Sequence, residues 1–317
     1  MHDAFRTACR RFVPPGIRRA RRVLSRLPCV IWRSADRLRH RAIRRAKGSP
    51  DTLLLHPFRP HIEDDYSIIL IACRLGLQFT TDPRRECAAA MHWHDTTHRP
   101  SNPVLEDIAA SLPVINLRGN DIRKTRVDAV MRHVFGYGLA IDPVATSGPF
   151  VEKADANALH DGRVVHGPLA APVAGRVYQR LIQGRCVGRL VEEIRVPVVG
   201  GQVPFVHLKY KKRDAPLALS VRGTITEPTA VLEGHEIASL LRFADAMGID
   251  FGELDIMRDR SDGRIYVFDA NNTPCVRFVG VSATDRRGTV DRLTAAFEHA
   301  FLRRRAPVSP VASTAFH

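Results

Sequence analysis

The stretch 248–274, Gly-Ile-Asp-Phe-Gly-Glu-Leu-Asp-Ile-Met-Arg-Asp-Arg-Ser-Asp-Gly-Arg-Ile-Tyr-Val-Phe-Asp-Ala-Asn-Asn-Thr-Pro, constrains this chain more than any other. Alternation over Leu254–Arg258 and over Arg264–Ala270, around the turn-forming Asp259–Gly263, predicts a β-hairpin. With the turn centred on Ser261, odd positions pair with odd ones. Glu253, Asp255, Asp269 and Asn271 then share one face, and Leu254, Ile256, Tyr266 and Phe268 the other. Asp255 and Asp269 become diagonal neighbours, roughly 7–8 Å apart. Three carboxylates and an amide on one face repel each other unless a cation sits among them. Their oxygens suit Mg²⁺ (or Mn²⁺), which takes one or two carboxylates and leaves its other positions to phosphates and water. A solvated amphipathic hairpin has the same alternation, so the pattern alone leaves both readings open.

Charge divides the chain. Residues 1–50 hold 15 Lys and Arg against two Asp, a net of +13, while the remaining 267 hold 33 against 31. The high isoelectric point therefore belongs to an N-terminal extension, broken by Pro14-Pro15-Gly16 and ended by Lys47-Gly48-Ser49-Pro50, with a basic helix expected over Val23–Arg45. Its longest apolar run, Pro28–Trp32, is too short to span a membrane. It also lacks the apolar core of a secretory signal, although its Arg-rich, acid-poor composition is that of transit peptides. It reads either as a flexible arm or as a tail with weak affinity for nucleic acid or an anionic membrane surface. Six scattered cysteines with no C-x-x-C spacing suggest reduced thiols and a cytoplasmic protein.

Strands at Thr52–Leu55, Leu77–Thr80 and Pro113–Leu117 alternate with helices at Glu63–Leu75 and Asn102–Ser111, which implies a small parallel α/β unit. Asp82–Pro100 reads as irregular and carries the cluster His92, His94, Asp95, His98, whose spacing matches no zinc motif. A helix capped by Asn120 or Asp121 runs to Phe135. The chain then turns β-rich, with strands at Phe150–Lys153, Arg163–His166, Arg176–Ile182, Leu190–Val199 and Val203–Lys211 and a Gly200-Gly201 turn. Helices follow at Glu233–Met247 and Thr289–Leu302.

The hairpin, with an Asp on one strand and acid-x-Asn ending the next, resembles the metal-binding end of the ATP-grasp superfamily. The likeness covers 114–304 well and 51–113 loosely. It implies an α+β and α/β molecule: a pre-ATP-grasp α/β domain over 51–118, then an ATP-grasp domain over 119–304. Two α+β subdomains of that domain enclose the nucleotide, with a lid near 137–182; residues 305–317 form a tail. It implies ATP and Mg²⁺ as cofactors and Asp255, Asp269 and Asn271 as metal ligands, with Asp269 where the family usually has Glu. Lys124 matches the first family lysine and Lys153 the lid lysine. Gln179, Arg180, Leu181 and Ile182 match the hinge that reads adenine. Glu193, Arg195 and Lys209 match groups near ribose, metal or phosphate, with Lys153 and Arg195 in the catalytic roles. The chain departs from the pattern after Lys153. Ala154–Gly162 holds one glycine where a Gly-rich loop is usual, with Asn157 and His160 as substitute donors.

The resemblance implies an ATP-dependent ligase joining a small-molecule or peptide carboxylate to an amine or thiol through an acyl phosphate. The missing Gly-rich loop admits a non-catalytic nucleotide-binding or regulatory protein instead. A nucleic-acid-binding role for residues 1–50 is disfavoured by the near-neutral body and the sparse aromatics of the arm. Neither substrate identity nor oligomeric state is legible.

Overall fold

The computed structural model describes residues 35–46, 48–61, 64–159, 161–214, 217, 220–275 and 279–303. His160, most of the basic extension and the C-terminal tail lie outside them. A parallel sheet of order β2-β1-β3-β4 comes first, from β1 (Thr52–Pro57), β2 (Gln78–Thr80), β3 (Ala89–Trp93) and β4 (Val114–Ile115). Side chains alternate across it. Leu53 and Leu55 pack with helices α2 (Ser67–Leu75) and α6 (Ala283–Phe297), while Leu54 meets Leu105 of α3 (Pro103–Ile108). Strand β3 lies where the sequence predicted irregular structure. All five of its residues are buried, and a strand covered on both faces shows no alternation to detect. Asn102 caps α3 by accepting the Leu105 N–H at 3.3 Å, and Pro103 takes the first helical position, as expected.

The second sheet is antiparallel and six-stranded. Its path is β11-β10-β9-β12-β13, with β8 beside β9. The strands are β8 (Cys186–Val187), β9 (Leu190–Val199), β10 (Val206–Lys212), β11 (Arg222–Thr226), β12 (Phe251–Arg258) and β13 (Ile265–Asn271). Neither β8 nor β11 was predicted; both are short edge segments. Even-numbered Ile194, Val196, Val198, Leu254 and Ile256 pack under α4 (Lys124–Phe135) and α5 (Gly234–Ala246) in the main core. That leaves the opposite face to Glu193, Arg195, Glu253 and Asp255. The third sheet, order β6-β5-β7, falls within the span expected for a lid: β5 (Gly148–Ala154), β6 (Arg163–Gly167) and β7 (Arg176–Arg180).

Boundaries moved for physical reasons. Helix α4 starts at Lys124 with no side-chain cap on its first residue; Asp121 turns back to its own Arg123 instead. Helix α5 is closed by a capping box, Glu233 with Glu236. Helix α6 begins at Ala283 under a Ser282 cap, earlier than Thr289.

Asn116 joins the α/β unit to the large sheet. It is fully buried, with a left-handed φ of 57°. Its side-chain oxygen accepts the N–H groups of Asp250 and Phe251, and its amide donates to the carbonyls of Phe251 and Asn272. Part of the extension is anchored too. Helix α1, residues 35–46, lies against the end of α2, so closely that a Cβ on Gly76 would overlap the Arg41 backbone. Arg41 and Arg45 pair with Asp51 at 2.5 and 2.8 Å, and Arg74 with Asp36 at 3.3 Å. No helix of the described residues is long and apolar enough to cross a membrane.

Candidate functional site

Strand register assembles the polar face. Arg195 on β9 lies opposite Asp255 on β12, and Asp255 lies opposite Asp269 on β13; Glu253 faces Asn271 one step along. The two aspartates are therefore direct cross-strand partners, not diagonal ones. The cause is a bulge between Asp255 and Ile256, past which Ile256 pairs with Val267 and Met257 with Tyr266. Tyr266, now opposite Met257, is buried in the main core, and its hydroxyl meets Arg180 and Asp262, both at 2.6 Å. Phe268, the extra residue, offers its carbonyl to Lys153 at 3.0 Å.

Every carboxylate on this face has a cationic neighbour. Arg195 clasps Asp255 through Nε and Nη2, both at 2.8 Å, and approaches Glu253 at 3.2 Å. Lys209 on β10 bonds Glu193 and lies 3.4 Å from both Asp255 oxygens, and Lys211 reaches Glu193 at 2.5 Å. Lys124 Nζ donates to Asp269 at 2.5 Å and to Asn157 at 2.8 Å. Burial alone would raise the Asp255 pKa. Arg195 and Lys209 outweigh it and hold the carboxyl well below its usual range. Burial likewise works against the charge of Arg195 and Lys209, but their acidic neighbours dominate and both pKa values rise. Glu253 goes the other way: burial pushes it up and Arg195 only partly offsets this. Lys153 is pulled down to about 8 by burial, with Asp269 opposing.

The residues expected to form a hinge lie at the turn end of the same hairpin. Arg180 donates to Asp259 at 3.0 Å, and Arg260 N–H reaches the Gln183 carbonyl at 2.9 Å. Gln179 is buried within β7, while Leu181 and Ile182 lie beyond the strand, which stops at Arg180. The side-chain oxygen of Asn157 accepts from Lys124 at 2.8 Å. The loop after Lys153 is instead tied to the start of α4. The N–H and hydroxyl of Thr125 donate to Asp155 at 2.8 and 3.0 Å, and Lys124 N–H donates to the Asp155 carbonyl.

Lys211, Asp155 and the ties of Glu253 were missed from sequence. Lys211 is two residues from Lys209 on a strand, so alternation alone would have placed it on the same face. Asp155 carries no local signal. Of the His92–His98 cluster, His92 is buried and held down to about 4 by its burial, and His98 is exposed. Among the described residues no group of three or more His, Cys, Asp or Glu is arranged to hold a metal.

No protein-family model and no curated protein matches the chain. Solved structures do. The ATP-grasp ligase PsnB, complexed with minimal precursor, Mg and ADP, is 16% identical over 78% of this chain and 98% of its own, with a TM-score of 0.51. D-alanine–D-alanine ligase from Bacillus anthracis is 14% identical over 78% and 96%, with a TM-score of 0.50. The chain has the ATP-grasp fold. The three-stranded sheet contributes Lys153, which reaches the Phe268 carbonyl, and the six-stranded sheet contributes the acidic and basic wall.

A divalent cation fits this wall by donor chemistry. Asp255 and Asp269 are opposed, Asn271 follows, and all three present oxygen. The five basic side chains around them supply the counter-charge that a polyphosphate requires.

Proposed function

We propose that this protein is an ATP-dependent ligase that activates a carboxylate as an acyl phosphate and couples it to a nucleophile. One observation carries the reading: Lys124, Lys153, Arg195, Lys209 and Lys211 converge on the face where Asp255 opposes Asp269. The fold relatives PsnB and D-alanine–D-alanine ligase are named as ligases, which supports the reaction class.

Nucleotide lies between the lid and the large sheet, with adenine at the hinge residues Gln179, Arg180, Leu181 and Ile182 and phosphates toward the lysines. Asp255, Asp269 and Asn271 would hold Mg²⁺ or Mn²⁺, which when bound neutralises phosphate charge and orients the transferred phosphoryl. Lys153 approaches from the lid, and its compact charge follows the phosphate as the lid moves. Lys124 exchanges Asp269 for phosphate. Arg195 fixes Asp255 with two of its nitrogens and has a further N–H edge for the developing charge. Glu193 anchors Lys209 and Lys211 and is placed to meet ribose hydroxyls. Catalysis is then positioning and charge, and no protein nucleophile is needed.

Asp269→Asn tests this. The expected result is a folded protein whose Mg²⁺-dependent ADP release, screened with pooled amino acids and short peptides, falls to background. Wild-type turnover by that variant refutes the metal assignment.

A second reading, a nucleotide-binding protein without turnover, is favoured by the lid loop. It is fastened by Asp155 and Asn157 rather than built from glycines. Tight nucleotide binding by calorimetry, without ADP release for any carboxylate, would select it.

A further inference from the structure

Helix α1 carries its polar residues inward and its apolar residues outward. With about 3.6 residues per turn, Asp36, Arg37, His40, Arg41 and Arg44 share one side, and all five are half-buried. That side is taken up by pairing with the body. Arg41 meets Asp51 at 2.5 Å, Asp36 meets Arg74 at 3.3 Å, and Arg44 donates to the carbonyls of Leu75 and Pro50 at 3.2 and 3.3 Å. Ala35, Leu38, Ala42, Ile43 and Ala46 fill the outward arc together with Arg39 and Arg45, and all seven are exposed. Leu38 keeps 65% of its surface open and Ile43 45%. A surface helix of a globular protein has the reverse arrangement, apolar toward the core and charged toward water.

We propose that this outward face docks on an anionic membrane surface, with Leu38 and Ile43 entering at headgroup level and the neighbouring arginines held at the lipid phosphates. A helix that lies on a membrane needs both an apolar face and a basic surround, because a weak apolar anchor alone gives marginal, reversible attachment. Both are continuous in this sequence. Residues 1–34 lead directly into α1 with nine arginines against one aspartate and with the apolar run Pro28–Trp32. The negative surface potential of anionic lipid attracts such a cluster. Arg39 can lay its stem along the apolar face while its guanidinium reaches phosphate.

Two other occupants fit less well. Nucleic acid is held by phosphate charge and base stacking, to which an aliphatic stripe adds nothing. A second copy of this chain would need roughly 800 Å² per partner for a stable interface. A helix of 12 residues is about 18 Å long, so its outward face covers only on the order of 200 Å². Two copies would also bring like-charged arms together.

The test uses the full chain with vesicles of phosphatidylcholine alone and of an equimolar mixture with phosphatidylglycerol, and reads co-sedimentation. The wild type should sediment with the anionic vesicles and stay in solution with the neutral ones. Leu38→Gln/Ile43→Gln leaves the net charge untouched and should weaken partition onto the anionic vesicles by about tenfold or more. Without vesicles its unfolding midpoint should match the wild type, because both side chains are exposed. Absence of wild-type sedimentation with anionic vesicles overturns the proposal. Equal partition of the double variant also overturns it, since the contact would then be charge alone. A lowered midpoint does so too, by placing the stripe against residues 1–34 or a second copy. Retention of the wild type on duplex DNA without sedimentation on vesicles would assign the arm to nucleic acid instead.

Discussion

At the scale of single residues, three buried bases carry the clearest consequences. Lys153 has a pKa of about 8 because burial disfavours its charge. Nucleotide affinity through this lysine should weaken as pH rises from 7 to 9, since the free protein loses the proton that phosphate needs. Calorimetry across that range should show the decline in the wild type. Lys153→Arg should flatten it, because guanidinium keeps its charge throughout. His92 and His207 are both nearly inaccessible, and burial holds each near a pKa of about 4. Between pH 6.5 and 4 the unfolded chain binds more protons than the folded one, so stability falls as pH falls through that window. Each histidine accounts for a loss of up to about 3 kcal/mol. Urea midpoints at pH 7, 5.5 and 4.5 should decline, and His92→Gln should make the decline shallower.

At the scale of elements, the hairpin and the loop after Lys153 behave differently. Leu254 is fully buried beneath the acidic face, so Leu254→Ala should cost about 2–5 kcal/mol in chemical denaturation. Asp269→Asn, on the other face of the same hairpin, should leave stability far closer to wild type. That loop is fastened to α4 by Asp155, whose carboxylate meets the Thr125 N–H at the helix start as a capping group would. Asp155→Ala should cost about 1 kcal/mol at that helix end. It should also raise amide exchange over residues 154–159, which mass spectrometry would resolve. Unchanged exchange there would mean that Asn157 and Thr97 hold the loop without it.

At the scale of the molecule, the end of the basic extension packs on the body. Helix α1 joins the body through Asp36, Arg41 and Arg45, and Arg44 donates to the Leu75 carbonyl at 3.2 Å. Deleting residues 1–34 should leave the unfolding midpoint within about 2 °C of the full chain, whereas deleting 1–49 should lower it by several degrees. Differential scanning calorimetry of both truncations checks this. Equal midpoints would show that α1 contributes nothing to the body. The charge step at residue 50 marks composition, and the packing begins earlier in the chain.

Local chemistry determined much of this protein. Period-2 alternation revealed β9, β10 and both hairpin strands, because one face of each is apolar and the other polar. Glu233, Gly248 and Pro103 marked helix ends through capping and backbone preference. Alternation gathered Asp255, Asp269 and Asn271 on one face, and the resemblance to ATP-grasp proteins implied Lys124, Lys153 and Arg195, before any contact was known. Tertiary structure decided what alternation cannot carry. Strand β3 is buried on both faces and so leaves no periodic trace. The bulge after Asp255 reset the register and turned a diagonal pair into a direct one, because a single extra residue exchanges the faces of everything beyond it. The partners Lys124–Asp269, Arg195–Asp255 and Tyr66–Asp95–Thr273 span 145, 60, 29 and 178 positions of sequence. Such pairings depend on how sheets and helices stack, and no local pattern encodes them.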